Sequence, residues 1–213
     1  MAGIKLVCFD VDGTLVDGIC WLFLTKGLGC SIESHVDIFQ QAKSGKISFR
    51  QGEEMLVSMY RQSNQATKVF IEKIFAKVNP RPEAEGLIAY LKKKGYLVYF
   101  ISGGVDLYVR AVVKKLGADG FFANSRLEFD EEGVLKRFHY RGNQAKVKAR
   151  QLKRLIKKLG VGLDEVAFIG DGENDLEVFK LTGKGIAVQS SCEELKKVAW
   201  KTVGSLEKIK SIL

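Results

Sequence analysis

Asp10 and Asp12, within Phe9-Asp10-Val11-Asp12-Gly13-Thr14-Leu15, are carboxylates one residue apart. Side chains alternate along an extended segment, so both project from the same side. That spacing suits two jobs on one substrate, one group attacking or binding while the other handles a proton. An ordinary Asp-Gly turn would use the same residues. An EF-hand loop is excluded, because its fifth and sixth positions would be Thr14 and Leu15 instead of an oxygen ligand followed by glycine.

Three further features narrow the choice. Ile101-Ser102-Gly103-Gly104 follows an apolar run and reads as the opening of a helix, where a hydroxyl and free backbone N–H groups converge as phosphate binding requires. Ile169-Gly170-Asp171-Gly172-Glu173-Asn174-Asp175 adds a second carboxylate cluster, and clustered carboxylates bind hard cations such as Mg²⁺. Neither segment has the G-x-G-x-x-G spacing of a dinucleotide site. The last feature is Lys148. In the helix expected over 145–159 the apolar stripe runs through Leu152, Leu155, Ile156 and Leu159, and four residues back from Leu152 is Lys148. A lysine on a buried face needs an anionic partner. Lys146 falls off the stripe, and Arg150, Lys153, Arg154, Lys157 and Lys158 occupy the outer face.

These residues are positioned by alternating elements. Short apolar runs at 4–9, 96–101, 120–123, 166–169 and 185–188 predict strands. Amphipathic helices are expected over 83–94, 105–116, 145–159 and 173–181, with Gly95, Gly117, Gly160 and Gly183 as C-terminal caps. The pattern predicts an α/β protein with a Rossmann-like, doubly wound parallel sheet. A hairpin is expected over 127–139, turning at Glu131-Glu132-Gly133. Some eighty residues separate the first two strands, far more than a crossover requires. Stripes at Ile32/Val36/Phe39, Phe49/Leu56/Val57/Tyr60 and Val69/Phe70/Ile74/Val78, with a capping box at Ser48–Gln51, predict an all-helical cap over 16–79, leaving 1–15 and 80–213 as the core.

Composition sets outer bounds. The 213 residues, 46% apolar with 22 Gly and 2 Pro, suit a globular chain with one main core. No run approaches the roughly 20 apolar residues that span a bilayer, and Met1-Ala2-Gly3-Ile4-Lys5 leads directly into a strand, so the expected location is cytoplasmic. Cys8, Cys20, Cys30 and Cys192 lack metal-ligand spacing and read as reduced thiols. The net charge of +9 is local: ten Lys and Arg and no Asp or Glu fall within 133–163. Only Phe138 and Tyr140 accompany them, too few aromatics for a single-strand nucleic-acid groove, so a solvated helix face is the preferred reading and nucleic acid is not an expected partner.

Asp-x-Asp-Gly-Thr, a strand-terminal Ser-Gly-Gly, a helical Lys and Gly-Asp-Gly-x-Asn-Asp, in that order, resemble the four motifs of the haloacid dehalogenase superfamily. The position of the cap, and of Lys148 23 residues before Asp171, are most similar to its phosphoserine phosphatase branch. The resemblance implies a Mg²⁺-dependent phosphomonoester hydrolase acting on a small phosphate ester. Asp10 would be the nucleophile that carries the phosphoryl group and Asp12 the acid and base. Mg²⁺ would sit between Asp10, the backbone carbonyl of Asp12 and Asp171. Ser102 and the Gly103 N–H would bind phosphate oxygens, and Lys148 would bridge nucleophile and phosphoryl group. Asn174 and Asp175 would support from behind, Asp175 orienting Lys148 or metal-bound water. Thr14 would donate toward the phosphate or cap its own turn. A carboxylate at position 12 separates the chain from the dehalogenases and ion pumps of the superfamily.

The chain departs from that branch where the amino-acid part of the substrate is selected. The branch places an acidic residue nine positions after the first aspartate and an arginine in the cap; the corresponding residues here are Ile19 and Leu56. An apolar wall does not compensate a zwitterion for leaving water, so phosphoserine is expected to be a poor substrate. Two readings of Trp21, Ile19, Met55, Leu56 and Met59 stand side by side: a less polar entrance, or simple packing of cap helices. Arg50, Glu53, Glu54 or Arg61 would supply charge from another turn if the alignment shifts. The rivals to a hydrolase are a phosphotransferase to an alcohol, using the same residues, and a silent nucleic-acid-binding or regulatory protein on the same fold.

Overall fold

Leu6–Phe9 forms β1, and all four of its side chains are buried. The computed structural model describes residues 3–140, 142–190 and 192–213. Met1 and Ala2, at the head of the expected core segment 1–15, and Arg141 of the basic run lie outside the described residues, as does Ser191.

Alternation along β1 divides the interior in two. Val7 and Phe9 join one apolar cluster with Leu87, Ile88, Phe100 and Val109, while Leu6 and Cys8 join the other with Leu152, Leu155, Phe168 and Phe179. A strand buried on both faces belongs in the middle of a sheet covered on both sides, and β1 is the central one of seven. The others are β2 (Leu97–Val105), β3 (Gly120–Phe129), β4 (Leu135–His139), β5 (Val166–Gly170), β6 (Gly185–Val188) and β7 (Lys201–Val203), in the order β4-β3-β2-β1-β5-β6-β7. All neighbours are parallel except β3 and β4. Leu6 pairs with Leu97 on one side and Val166 on the other. The chain builds outward from β1 through β2 and β3, then crosses to β5. The switch point therefore falls between β1 and β5, and ligands of open α/β sheets bind in the crevice at the carboxyl ends of such strands.

Among the described residues, four helices fall within 16–79: α1 (Cys20–Gly27), α2 (Ile32–Lys43), α3 (Phe49–Arg61) and α4 (Lys68–Ala76). Next come α5 (Pro82–Lys93), α6 (Asp106–Leu116), α7 (Gln144–Leu159), α8 (Leu176–Thr182) and α9 (Glu193–Val198). Gly117, Gly160 and Gly183 end α6, α7 and α8 in the left-handed conformation that glycine adopts without a steric penalty. Ser48 and Gln51 form the expected capping box. The hairpin also forms, with Arg126 opposite His139 and Leu127 opposite Phe138. Its tip joins the insertion through Lys68 N–H to Gly133 O (2.8 Å) and Leu135 N–H to Ala66 O (2.7 Å).

Several expectations need correction. Val36 and Phe39 are 39% and 42% exposed, whereas α2 buries His35, Ile38 and Ala42. Val69 is exposed as well, and α4 buries Ile71 and Phe75. His35 is buried, and its Nδ1 lies 2.9 Å from both Thr25 Oγ1 and Tyr60 Oη, linking α1, α2 and α3. Ser102-Gly103-Gly104 ends a strand instead of opening a helix, because β2 runs to Val105 before α6 begins. The third strand continues into the first arm of the hairpin. The four cysteines are free, and among the described residues no helix is long and apolar enough to cross a membrane.

Candidate active site

The chain leaves β1 at Phe9 and β5 at Gly170, side by side in register, so Asp10 and Asp171 meet at the switch point. The turn after β1 is tight. Gly13 has φ +75, and a Cβ there would fall 2.3 Å from Asp171 Oδ2. Only glycine lets the two acidic loops approach this closely. Arg81 clamps the turn from outside, donating to Gly13 O at 3.0 Å.

Lys148 lies behind these loops, fully buried, with Nζ 2.8 Å from Asp10 Oδ2 and 2.7 Å from Asp175 Oδ1. Burial alone would lower its pKa, but the two carboxylates outweigh that and raise it. The ammonium therefore stays charged. Asp175 is equally buried; its Oδ2 accepts from the N–H groups of Asp171 (3.2 Å) and Gly172 (3.3 Å). Lys146, Arg150, Lys153, Arg154, Lys157 and Lys158 are exposed, as expected of an outer face.

Asp12 differs from Asp10. Its Oδ1 accepts a long bond from Cys20 N–H (3.2 Å) at the start of α1. Burial, reinforced by the charge of Asp10, raises its pKa to about 7. The Tyr108 hydroxyl, buried and without a full hydrogen bond among the described residues, tempers that rise. A carboxyl titrating near neutrality suits reversible proton transfer.

Asp10, Asp171 and Asp175 each offer an oxygen within 4.8 Å of the others. Burial also raises the pKa of Asp171, and Asp10 adds to it. Asp10, Asp171 and Asp175 thus share one buried ammonium, a set short of positive charge and made of hard oxygen donors. It fits a divalent cation such as Mg²⁺. Both Asp175 oxygens hold Lys148 and backbone N–H groups, and both Asp10 oxygens hold Lys148 and Val11 N–H, so Asp171, whose Oδ2 has no hydrogen bond among the described residues, is the freest donor.

A cavity of about 950 Å³ opens over this cluster, with Asp10, Asp12, Gly103, Asp171 and Asn174 among its walls. Two residues expected at the phosphate make hydrogen bonds within the surrounding loops. Thr14 is buried and its hydroxyl donates to Asp171 Oδ1 at 2.6 Å, so it positions that carboxylate. Ser102 is buried beneath Gly103 and its Oγ accepts from Gly104 N–H at 3.0 Å, leaving its own proton to donate. Asn174 donates to Gln144 Oε1 at 3.2 Å.

Gln144 and Tyr108 are the residues not anticipated. Gln144 lines the cavity, packs against Gly103 and donates to Tyr140 Oη at 3.0 Å. The spacing that identifies Lys148 from Leu152 reaches Gln144 one turn earlier. Tyr108 gives no local signal, because it meets Asp12 only through packing of α6 on the loop after β1.

The family model of haloacid dehalogenase-like hydrolases matches residues 4–183. The phosphoserine phosphatase of Methanocaldococcus jannaschii is 34% identical over 191 residues, covering 86% of this chain and 84% of that protein. Among solved structures, a phospho-aspartyl intermediate analogue of a phosphoserine phosphatase matches with a TM-score of 0.76 at 30% identity, covering all of both chains. A substrate-bound phosphoserine phosphatase complex matches with a TM-score of 0.77 at 29% identity over the same extent.

Proposed function

The chain belongs to the haloacid dehalogenase-like hydrolases and is a phosphatase; from that footing we propose that it hydrolyses a small phosphomonoester other than phosphoserine, carrying the phosphoryl group on Asp10. The observation that carries this reading is the buried Asp10–Lys148–Asp175 array beside an Asp12 that titrates near 7. One carboxylate is paired with a buried ammonium, and its neighbour titrates near neutrality.

The steps follow from those two carboxylates. An oxygen of Asp10 attacks phosphorus and forms an acyl phosphate as the bond to the ester oxygen breaks. Protonated Asp12 gives its proton to that oxygen, so an alcohol leaves. The resulting Asp12 carboxylate takes a proton from water, whose oxygen attacks phosphorus. The bond to Asp10 breaks, and inorganic phosphate departs. Lys148 holds Asp10 in line and balances charge at the phosphoryl oxygens, while the Gly103 N–H and the Ser102 hydroxyl face those oxygens from the end of β2. Asp10, Asp171 and the backbone carbonyl of Asp12 would hold Mg²⁺, which when bound supplies the positive charge that lets an anionic nucleophile approach an anionic ester.

The substrate assignment draws support from two wall positions. Ile19 borders the catalytic cavity, and Leu56 borders an adjoining apolar recess. Arg50 and Glu54 pair with each other in solvent at 3.1 Å, and Glu53 gives an oxygen to Phe138 N–H at 3.1 Å. Phosphoserine itself is the second reading, favoured by the names of the relatives and by Lys43 and Glu173 at the cavity wall.

Phosphate release from aryl, sugar, nucleotide and amino-acid phosphates tests both readings. With Mg²⁺ several esters are expected to turn over, and chelation should cut the rate by at least about 100-fold, reversed by added metal. Full activity in EDTA would remove the metal assignment. Phosphoserine as the best substrate would establish the second reading.

A further inference from the structure

Beside the catalytic cavity is a second recess of about 250 Å³. Ile19, Trp21, Phe39, Phe49, Tyr140 and Gln144 line both spaces, so the recess is a side arm of the site and not a separate hole. Beyond them it is walled by Leu22, Val36, Ile38, Ala42, Leu56 and Phe138. Its polar groups are few. Glu53 is bonded to Phe138 N–H, His35 to Thr25 and Tyr60, and Gln144 to Asn174 and Tyr140.

Side chains that only pack a cap would be covered. Here Ile19, Val36, Phe39 and Phe49 are 51%, 39%, 42% and 52% exposed, although large apolar groups gathered in one place ordinarily mark a binding surface. The aromatic groups are arranged as walls, Trp21 against Phe138 at 4.7 Å between centroids and Phe49 stacked on Tyr140 at 5.9 Å. Apolar cavities of about 150 Å³ hold a benzene ring, so this recess has room for a substituted ring or a branched chain.

We infer that the recess receives the alcohol portion of the substrate, and that the substrate is a phosphomonoester whose leaving group carries an aromatic or branched aliphatic substituent. This rests on the phosphatase reading, and it supplies what Ile19 and Leu56 leave open. Continuity with the cavity over Asp10 selects a substrate group over a partner protein as occupant, because whatever fills the recess abuts the phosphate position. Charge points the same way. Leu56 and Ile19 offer nothing to an ammonium or a carboxylate, whereas a methylene leaving water there contributes its full transfer free energy.

The test is kcat/KM over alkyl monophosphates of matched leaving-group chemistry: ethyl, 3-methylbutyl and 3-phenylpropyl phosphate, with phosphoserine alongside. Each buried methylene should raise kcat/KM about three- to four-fold, and 3-phenylpropyl phosphate should exceed ethyl phosphate by at least about 30-fold. Leu56→Arg should collapse that ratio. In a Trp200→Phe background, 3-phenylpropylphosphonate should perturb Trp21 fluorescence at concentrations where ethylphosphonate does not, a readout independent of turnover. A flat series with measurable hydrolysis overturns the substrate assignment alone. No hydrolysis of any ester overturns the phosphatase reading and this assignment with it.

Discussion

Asp10→Asn is expected to reduce turnover of every phosphate ester to below a hundredth of wild type while leaving the fold intact. The amide cannot form a stable acyl phosphate, and its neutral charge removes the partner that Lys148 Nζ meets at 2.8 Å. The side chain is nearly isosteric, and Val11 N–H, which donates to Asp10 Oδ1 at 2.7 Å, still finds an oxygen there. Circular dichroism should therefore match wild type. Residual activity above a hundredth would remove Asp10 as nucleophile.

Lys148→Met should be the most damaging single change to stability, and it should lower activity as well. Breaking a buried ion pair by removing one partner costs about 3–5 kcal/mol, and here two carboxylates lose the same partner. Turnover should fall by about 100- to 1,000-fold, as when one preorganised charge-stabilising donor is lost. Charge and packing separate by pH. The folded-state pKa of Lys148 is raised, so its contribution is fully present below its ordinary 10.5 and is lost only above it. In the variant, Asp175 is buried without its cation and its pKa lies further above the ordinary 3.8. A group with a raised folded pKa loses stability as pH rises, and Asp175 already lies at about 7 in the wild type, so the extra deficit of the variant should develop as pH rises through about 7. Urea unfolding in EDTA should show a smaller deficit at pH 4.5 than at pH 8. Equal deficits would mean that lost packing, not lost charge, is responsible.

The parts that sequence reveals are those whose pattern has one physical solution. β1 and β5 are short apolar runs ended by Asp-rich loops, and every residue in them is buried. α7 declares itself through its stripe and Gly160, and that stripe places Lys148 inside. The insertion is less legible. Val36 and Phe39 repeat with helical spacing, but spacing reports that a face is apolar and not what covers it; these two side chains line a cavity. In Cys20-Trp21-Leu22-Phe23-Leu24 nearly every position is apolar, so no periodicity marks α1. β7 is a three-residue edge strand with two exposed side chains, too short to show alternation. Within the site, the convergence of Asp10, Asp171 and Lys148 follows from strand ends and a helix face. The orientations of Thr14 and Ser102 depend on turns, and Tyr108 on tertiary packing, none of which local spacing encodes.

The central claim, a phosphoryl group carried on Asp10, is tested most directly by trapping it. An Asp12→Asn variant given an aryl phosphate, whose leaving group needs no protonation, should form the acyl phosphate and hydrolyse it slowly. Acid quenching and peptide mapping by mass spectrometry are then predicted to find one phosphoryl group per chain, on the peptide containing Asp10 and labile to hydroxylamine. A phosphoryl group on any other residue, or steady release of phosphate with none bound at any time point, would contradict the account.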